Sequence, residues 1–204
     1  KRHGATAVNE FRKAGYLPEA LINYIAHLGC SFQEGRDIYS LGEMESLFKI
    51  EKLNKAPAVF DYQKLEWFNG QYIRLKSDQE LAAMVKSYLV EAGLRAEEDA
   101  VADALDLKAM PLVKERMKFL TEAAAVMAYL YRRPELPEAT EFIPKKLDKA
   151  AAIHMLEEDL ALLLSVDLDR LEEAEEALRT RAGLIPAKLG DLLMPLRVAV
   201  TGSR

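Results

Sequence analysis

The order of helix start and stop signals is the feature that most restricts the fold of this chain. Pro18 stands in the favoured first-turn position of a helical apolar repeat that ends at Gly29. Ser40 and Ser77 are each followed three residues later by glutamate, which makes two capping boxes, and residues with helical apolar spacing follow both. No segment shows the alternation of apolar and polar residues that is typical of a strand. The sequence therefore predicts an all-α chain.

The same signals predict where the helices begin and end. Besides the helices after Ser40 and Ser77, the predicted helices cover residues 18–29, 62–69, 97–109, 111–131, 146–164, 168–181 and 186–200. Asn69-Gly70 is expected to stop one helix, and Pro195 is expected to kink or divide another. The acidic run from Glu172 to Glu176 is interpreted as a solvated helix face. The apolar positions predicted to be buried in the first two helices are Leu21, Ile22, Ile25, Leu28, Leu41, Met44, Leu47 and Phe48.

Residues 52–74 are the least typical of a generic helical protein, because they combine dense aromatic residues, the only tryptophan and four cationic side chains. Pro57 excludes a helix through its own position, whereas Asp61 is a good N-cap for a helix that starts near Tyr62. Aromatic residues at this density most often form a packed core. A direct role in ligand binding is the alternative.

Charge is distributed unevenly along the 204 residues, which carry a net charge of −5. Residues 1–76 hold 11 Lys and Arg against 9 Asp and Glu, a net of +2, and residues 77–204 hold 17 against 24, a net of −7. A polyanionic ligand would therefore have to meet local cationic spots, because the chain has no broad basic face.

No apolar run approaches the roughly 18 residues that span a bilayer, and the start of the chain shows no secretion signal. The single cysteine, Cys30, is predicted to be an unreactive core thiol, which suits a reducing compartment. We therefore expect a cytoplasmic protein without a membrane partner.

The residues themselves do not indicate a complete enzyme. The chain has no glycine-rich phosphate loop, no nucleophile with an assigned base and no Cys/His cluster with zinc spacing, so no metal site is predicted. Its histidines, His3, His27 and His154, are scattered. A surface position or a satisfied hydrogen bond is the expected role of His27.

Separated blocks of the sequence resemble bacterial glutamyl-tRNA synthetase, a class I family, downstream of its ATP-binding signature loop. The blocks are residues 1–6, 15–24, 56–74 and 186–202. This resemblance implies a stem-contact region over residues 1–74 and two small α-helical anticodon-binding subdomains over residues 75–137 and 138–204. It also implies that the chain stops short of the family's usual end. Trp67, Phe68 and Tyr72 would then fix the angle between domains.

The resemblance further implies that Lys1 and Arg2 are the last residues of a signature loop of the form Lys-x-Ser-Lys-Arg. The family uses this lysine as a mobile cation against the phosphates of ATP, where negative charge builds during adenylate formation. The nucleotide-binding fold would be missing from the chain. We therefore expect ATP with Mg as cofactors of the full-length enzyme, none in this chain, no aminoacylation by the chain alone, and a monomer.

The partner that the resemblance implies is tRNA-Glu. Arg116, on the predicted helix after Pro111, corresponds to a family arginine that faces an anticodon base and favours tRNA-Glu over tRNA-Gln. Arg197 and Thr201 correspond to further anticodon contacts, and the alternative is that both arginines are ordinary surface residues. The candidates for contacts with the tRNA backbone are Lys55, Lys64, Arg74, Lys114 and Lys118. A stand-alone helical adaptor that has lost ligase activity is the alternative function.

Overall fold

The structure, a computed structural model, describes residues 7–55, 57–135, 137–184 and 188–202. Within these ranges every regular element is helical, with ten α-helices and four short 3-10 turns. The one pairing of extended backbone in the described residues is an isolated antiparallel bridge between Cys30 and Leu53. The predicted all-α fold is confirmed.

The helices divide between two compact units, Lys1–Tyr131 and Arg132–Arg204. The α-helices are α1 Val8–Lys13, α2 Pro18–Gly29, α3 Leu41–Leu47, α4 Tyr62–Leu75, α5 Asp78–Glu91, α6 Ala100–Val113, α7 Ala123–Tyr131, α8 Lys149–Ser165, α9 Leu171–Gly183 and α10 Leu189–Thr201. The 3-10 turns are Ile50–Lys52, Lys114–Arg116, Leu120–Glu122 and Ala139–Phe142. The three-part division at residues 74 and 137 stays a prediction.

The predicted helix starts at Ser40, Asp61 and Ser77 are confirmed by their caps. The hydroxyl of Ser40 accepts a hydrogen bond from the Glu43 amide at 3.3 Å, and the Glu43 carboxylate accepts one from the Ser40 amide at 2.8 Å. Ser77 and its glutamate form the same reciprocal pair. Asp61 accepts from two backbone amides of the first turn of α4. Each cap satisfies amides that a helix start leaves without an intrahelical partner.

The predicted stop at Asn69-Gly70 is wrong, because α4 continues through both residues to Leu75. The side chain of Asn69 is fully buried and bonds to backbone groups outside its own helix. It therefore does not compete with the helical backbone, which is how asparagine usually ends a helix. The next helix begins directly afterwards, at the Ser77 cap.

The predicted boundary at Pro111 is also wrong. Pro111 lies inside α6, which continues to Val113, and no continuous helix covers residues 111–131. Pro111 lies in the last turn of α6 and lacks the N–H that would donate to the Leu107 carbonyl oxygen, and the helix ends two residues later. The chain then leaves the helical path at Met117, whose backbone is extended and whose side chain is fully buried. Arg116 consequently lies in a 3-10 turn instead of on a long helix.

Two predicted apolar faces are corrected by the packing. Ile22 and Ile25 are 44% and 52% exposed, whereas Ala20 and Tyr24 are fully buried. The reason is that α2 packs against α4 along a narrow stripe, so only part of the apolar surface of α2 is covered. In α3, Met44 is buried, but Leu41 and Phe48 are 54% and 51% exposed.

Several of the apolar and aromatic side chains of residues 52–74 lie in the hydrophobic core of the first unit. Phe68 is fully buried and Tyr72 is 7% exposed, so the predicted aromatic core is confirmed for these two residues. Trp67 is 44% exposed, although its ring lies edge-on to Phe68 with 5.2 Å between centroids. The core residues contributed by helices α2 and α4 to α7 include Leu21, Leu65, Ile73, Leu81, Val85, Leu89, Met110 and Met127.

The second unit contains α8, α9 and α10. Its buried apolar side chains come from all three helices and include Ala152, Met155, Ala174, Leu192 and Val198. Pro195 is buried within α10, which continues through it, so the helix is not divided; the kink expected as the alternative stays a prediction. Glu172, Glu173, Glu175 and Glu176 are exposed, which confirms the solvated acidic face.

Candidate nucleic-acid interface

Arg116 ends a short cationic turn that directly follows α6. The neighbouring residues on its N-terminal side are held by α4 and α5: the Lys114 Nζ lies 2.7 Å from Asp78 Oδ1, and the Glu115 Oε2 lies 2.8 Å from Arg74 Nε. Arg116 itself is exposed and has no hydrogen bond or ion pair with any described residue. Its guanidinium group is therefore available to a ligand.

The backbone after Arg116 is also fixed. Met117 is fully buried, and the carbonyl oxygen of Lys118 accepts a hydrogen bond from Asn69 Nδ2 at 2.5 Å. The amides of Lys118 and Phe119 donate to Glu122 Oε2 at 2.6 and 3.1 Å. We call residues 114–118 the Arg116 turn. Contacts on both sides of Arg116 hold this turn in one conformation.

The structure brings four of the predicted contact residues together in and beside the Arg116 turn, and it gives them different roles. Arg74 and Lys114 form ion pairs with carboxylates. Arg116 and the Lys118 ammonium group are exposed and have no carboxylate partner within the described part of the chain. The Glu115 side chain is 64% exposed, so its pair with Arg74 is a weak constraint that a phosphate could replace, whereas the Lys114 and Asp78 side chains are only 23% and 30% exposed.

Two other predicted contacts, Lys55 and Lys64, belong to the segment around α4. Both side chains are exposed. The Lys64 ammonium nitrogen lies 6.0 Å from the centroid of the Phe68 ring. Among the described residues, neither lysine forms a hydrogen bond or an ion pair with the Arg116 turn.

In the second unit, Arg197 is exposed on the last turns of α10, and its guanidinium group has no partner among the described residues. The hydroxyl of Thr201 donates to the Arg197 carbonyl oxygen at 2.9 Å. Gly202 then ends α10 with φ of +75°. A Cβ atom there would lie 2.9 Å from Pro134 Cβ, so the close approach also requires glycine. Lys1 and Arg2 lie outside the described residues.

The structure shows a buried ion-pair network around Arg95 that the sequence did not predict. The Arg95 side chain is 1% exposed and bonds to Asp106 and to Asp103, whose Oδ1 lies 2.6 Å from Arg95 NH2. The hydrogen bond from Arg95 lowers the pKa of Asp103, and burial together with the bond to Asp106 raises the pKa of Tyr131. The spacing of Asp103 and Asp106 along one helix face was the available signal, but only the folded chain supplies their arginine.

The remaining titratable candidates, His27 and Cys30, have structural roles in the fold. His27 Nε2 lies 2.7 Å from the Asp37 carbonyl oxygen, which confirms a satisfied histidine, and Cys30 is buried as predicted. Across the described ranges, no group of three or more His, Cys, Asp or Glu side chains could hold a metal ion. None of the described helices is both long and apolar enough to cross a membrane.

Residues 80–204 match the family model of an anticodon binding domain. The chain belongs to the anticodon-binding domain family. Residues 1–67 match a second family, the catalytic domain of class I tRNA synthetases (E and Q). The Arg116 turn, Arg197 and Thr201 therefore fall within the anticodon-binding match, Lys55 and Lys64 fall within the catalytic-domain match, and Arg74 lies between the two.

Known relatives agree with both matches. The chain is 45% identical to a glutamate–tRNA ligase of Treponema denticola, covering all of this chain and 44% of the relative. It is 37% identical to the glutamate–tRNA ligase of Borreliella afzelii, of which it covers 42%. The chain thus spans less than half the length of these relatives. The resemblance to glutamyl-tRNA synthetase is confirmed.

Solved structures support the helical fold. A glutamate tRNA ligase from Elizabethkingia meningosepticum, in complex with its amino acid, is similar with a TM-score of 0.74 and 32% identity over 95% of this chain and 37% of that chain. A glutamate-tRNA synthetase from Elizabethkingia anophelis gives a TM-score of 0.72 at the same identity, with 95% of this chain and 36% of that chain covered.

Proposed function

We propose that this chain is the tRNA-binding part of a glutamate–tRNA ligase and that it recognises tRNA-Glu through the anticodon. The observation that carries the proposal is the Arg116 turn, where an exposed guanidinium group without an internal partner stands on a backbone fixed from both sides. Sequence-specific RNA recognition depends on hydrogen bonds to the edges of unpaired bases, and the planar fork of arginine suits those edges.

The other cationic residues have complementary roles in this proposal. Arg197, with Thr201 one turn further along α10, provides a second anticodon contact from the second unit. Lys118, Lys64 and Lys55 contact phosphates, which orient the tRNA without reading its sequence. Arg74 and Lys114 reach phosphate only by exchanging a carboxylate partner. Because residues 77–204 carry a net charge of −7, binding depends on these few cations and weakens with salt, with a slope set by the number of phosphates that they neutralise.

The whole ligase in this proposal joins glutamate to tRNA-Glu with ATP and Mg, using a catalytic part that this chain lacks, and acts as a cytoplasmic monomer. Lys1 and Arg2, the residues implied for ATP, lie outside the described residues, so we assign no chemical step to this chain. The adaptor alternative is not favoured, because the relatives named above are all glutamate–tRNA ligases.

A binding titration tests the proposal directly. The ligands are a tRNA-Glu transcript and the same transcript carrying the tRNA-Gln anticodon, which differ only in the bases to be read. Arg116→Ala should reduce the preference for the tRNA-Glu anticodon by about 5- to 150-fold, the equivalent of the ~1–3 kcal/mol that a good arginine–base contact contributes. Arg197→Ala should weaken binding in the same assay.

Arg12→Ala is the matched control, because Arg12 is an exposed arginine of the first unit on α1 and is not one of the predicted contacts. It removes the same charge, so it should leave the ratio of the two affinities unchanged. Equal affinity of the unaltered chain for both transcripts would refute anticodon reading. So would an unchanged ratio in Arg116→Ala.

A further inference from the structure

Asn69 is a buried amide whose bonds all leave its own helix. It is 0% exposed, and its Oδ1 accepts from the Leu17 amide at 2.7 Å. Its Nδ2 donates to the carbonyl oxygens of Gly15 at 3.2 Å and Lys118 at 2.5 Å. One side chain thus joins the loop before α2 to the last residue of the Arg116 turn.

Asn69 joins two parts of the chain that match different families. Asn69 lies in residues 68–79, between the two family matches. Gly15 and Leu17 belong to the part that matches a catalytic domain, whereas Lys118 belongs to the part that matches an anticodon-binding domain. The carboxamide therefore connects backbone of one matched part to backbone of the other, within a single compact unit.

The same two backbones touch directly next to Asn69. The Leu120 amide donates to the Gly15 carbonyl oxygen at 3.2 Å, and the Tyr16 and Phe119 rings meet edge to face at 4.9 Å between centroids. Gly15 has φ of +87°, and a Cβ atom there would lie 2.9 Å from the Leu120 and Thr121 amide nitrogens. Only glycine permits this approach without a shift of the backbone.

Arg116 is therefore held from two directions of unequal strength. The Glu115 side chain is 64% exposed, so its ion pair with Arg74 is a weak constraint on the N-terminal side. Asn69 is buried, and removing its amide would take this partner from the Leu17 N–H and from the Lys118 carbonyl oxygen, which is more costly. Asn69 is thus a stronger constraint on the Arg116 turn than the Glu115–Arg74 pair.

We propose that Asn69, assisted by Glu115, is a positioning residue for Arg116 and thereby sets the anticodon discrimination of the chain. Neither side chain needs to touch tRNA. Fixing the Arg116 turn before binding avoids the entropy cost of ordering it in the complex, and it fixes the angle at which the guanidinium group meets a base. This inference rests on the proposed function, in which Arg116 reads the anticodon.

The test compares Asn69→Ala with Asn23→Ala in the full chain. Asn23 is the matched control, since it is also a 0% exposed asparagine of the first unit, and its Oδ1 accepts from the Tyr39 amide and the Tyr72 hydroxyl at 2.9 and 2.6 Å. The hydrogen bonds of Asn23 among the described residues do not involve the Arg116 turn. Both variants lose buried hydrogen bonds, but only Asn69→Ala releases the turn.

Two measurements separate positioning from general stability. In the titration with the two transcripts, Asn69→Ala should reduce the ratio of affinities about fivefold or more, towards the value of Arg116→Ala, while Asn23→Ala keeps the ratio of the unaltered chain. In hydrogen exchange, Asn69→Ala should speed exchange of the amides of residues 117–120, and Asn23→Ala should not.

Glu115→Gln provides a second variant whose exposed site carries little risk to folding. It weakens the ion pair with Arg74 and should reduce the ratio about twofold, a modest effect because an exposed pair is weak. Its control is Glu175→Gln, which weakens an exposed pair with Arg179 in the second unit. The ratio cancels any uniform gain in affinity from removing a negative charge. If Asn69→Ala does not fold, the ratio of affinities in Glu115→Gln, compared with that in Glu175→Gln, tests whether the contacts of the Arg116 turn position Arg116.

The outcomes distinguish the two proposals. If Arg116→Ala leaves the ratio unchanged, the proposed function fails, and hydrogen exchange still reports whether Asn69 orders the turn. If Arg116→Ala abolishes the preference while Asn69→Ala and Glu115→Gln retain it, the positioning role alone is overturned. An equal loss in Asn69→Ala and Asn23→Ala would also overturn it, because destabilisation would then explain the effect.

Discussion

Replacing Asp106 by alanine should be among the most destabilising single changes in the first unit. The carboxylate of Asp106 is 2% exposed and bonds to Arg95, whose side chain is 1% exposed, and to the hydroxyl of Tyr131. Without it, the buried guanidinium group keeps Asp103 and the Asp99 and Ala96 carbonyl oxygens as partners. Breaking a buried pair from one side typically costs about 3–5 kcal/mol. We expect the free energy of unfolding to decrease by about 3–5 kcal/mol.

Two further variants examine how that cost arises. Tyr131→Phe removes only one donor to the charged acceptor Asp106, so it should cost about 1.5–3 kcal/mol. The double variant Arg95→Met, Asp106→Leu removes both buried charges together. Because a buried pair can often be replaced by apolar groups with little loss, the double variant should be more stable than Asp106→Ala.

Urea denaturation followed by tryptophan fluorescence is the appropriate assay. Trp67 is the only tryptophan and lies in the first unit, so its emission reports the unfolding of that unit, whereas circular dichroism follows the helices of both. Asp103→Ala serves as the comparison, since that side chain is 51% exposed. The reasoning would be refuted by an Asp106→Ala variant that lost no more stability than Asp103→Ala.

Three other predictions concern the caps, the aromatic core and the chemistry. A hydrogen bond from the Ser40 backbone, together with Arg36, lowers the pKa of Glu43 from 4.5 to about 2. This carboxylate therefore stabilises the fold above pH 4.5 and loses that effect as the pH falls towards 2. Glu43→Gln should make the melting temperature depend less on pH across this window. Phe68→Ala should lower the free energy of unfolding by about 3–5 kcal/mol, measured by urea denaturation followed by circular dichroism. Trp67→Ala should lower it clearly less, because that ring is 44% exposed. Equal losses in the two variants would contradict the burial argument. The chain alone should give no ATP–pyrophosphate exchange with glutamate, and measurable exchange would contradict its assignment as the tRNA-binding part.

Local sequence rules determined where most helices begin. The hydroxyls of Ser40 and Ser77 and the carboxylate of Asp61 cap helices because they reach amides only two or three residues away, so neighbouring residues suffice to predict them. The all-α class follows from the same short-range signals and from helical apolar spacing. Local rules failed at Asn69 and Pro111, where the deciding partners or the position within the helix depend on the rest of the fold.

Sequence also identified the family and the arginine expected to read the anticodon, but it placed Arg116 on a long helix. Only the tertiary structure shows a turn whose residues are held by Arg74, Asp78 and Asn69, which lie 36 to 49 positions from their partners in the chain. The availability of Arg116 likewise depends on which cations find carboxylates in space. Hydrogen bonds and ion pairs act over a few ångströms, so contacts between distant residues exist only once the helices pack, and no local pattern encodes them.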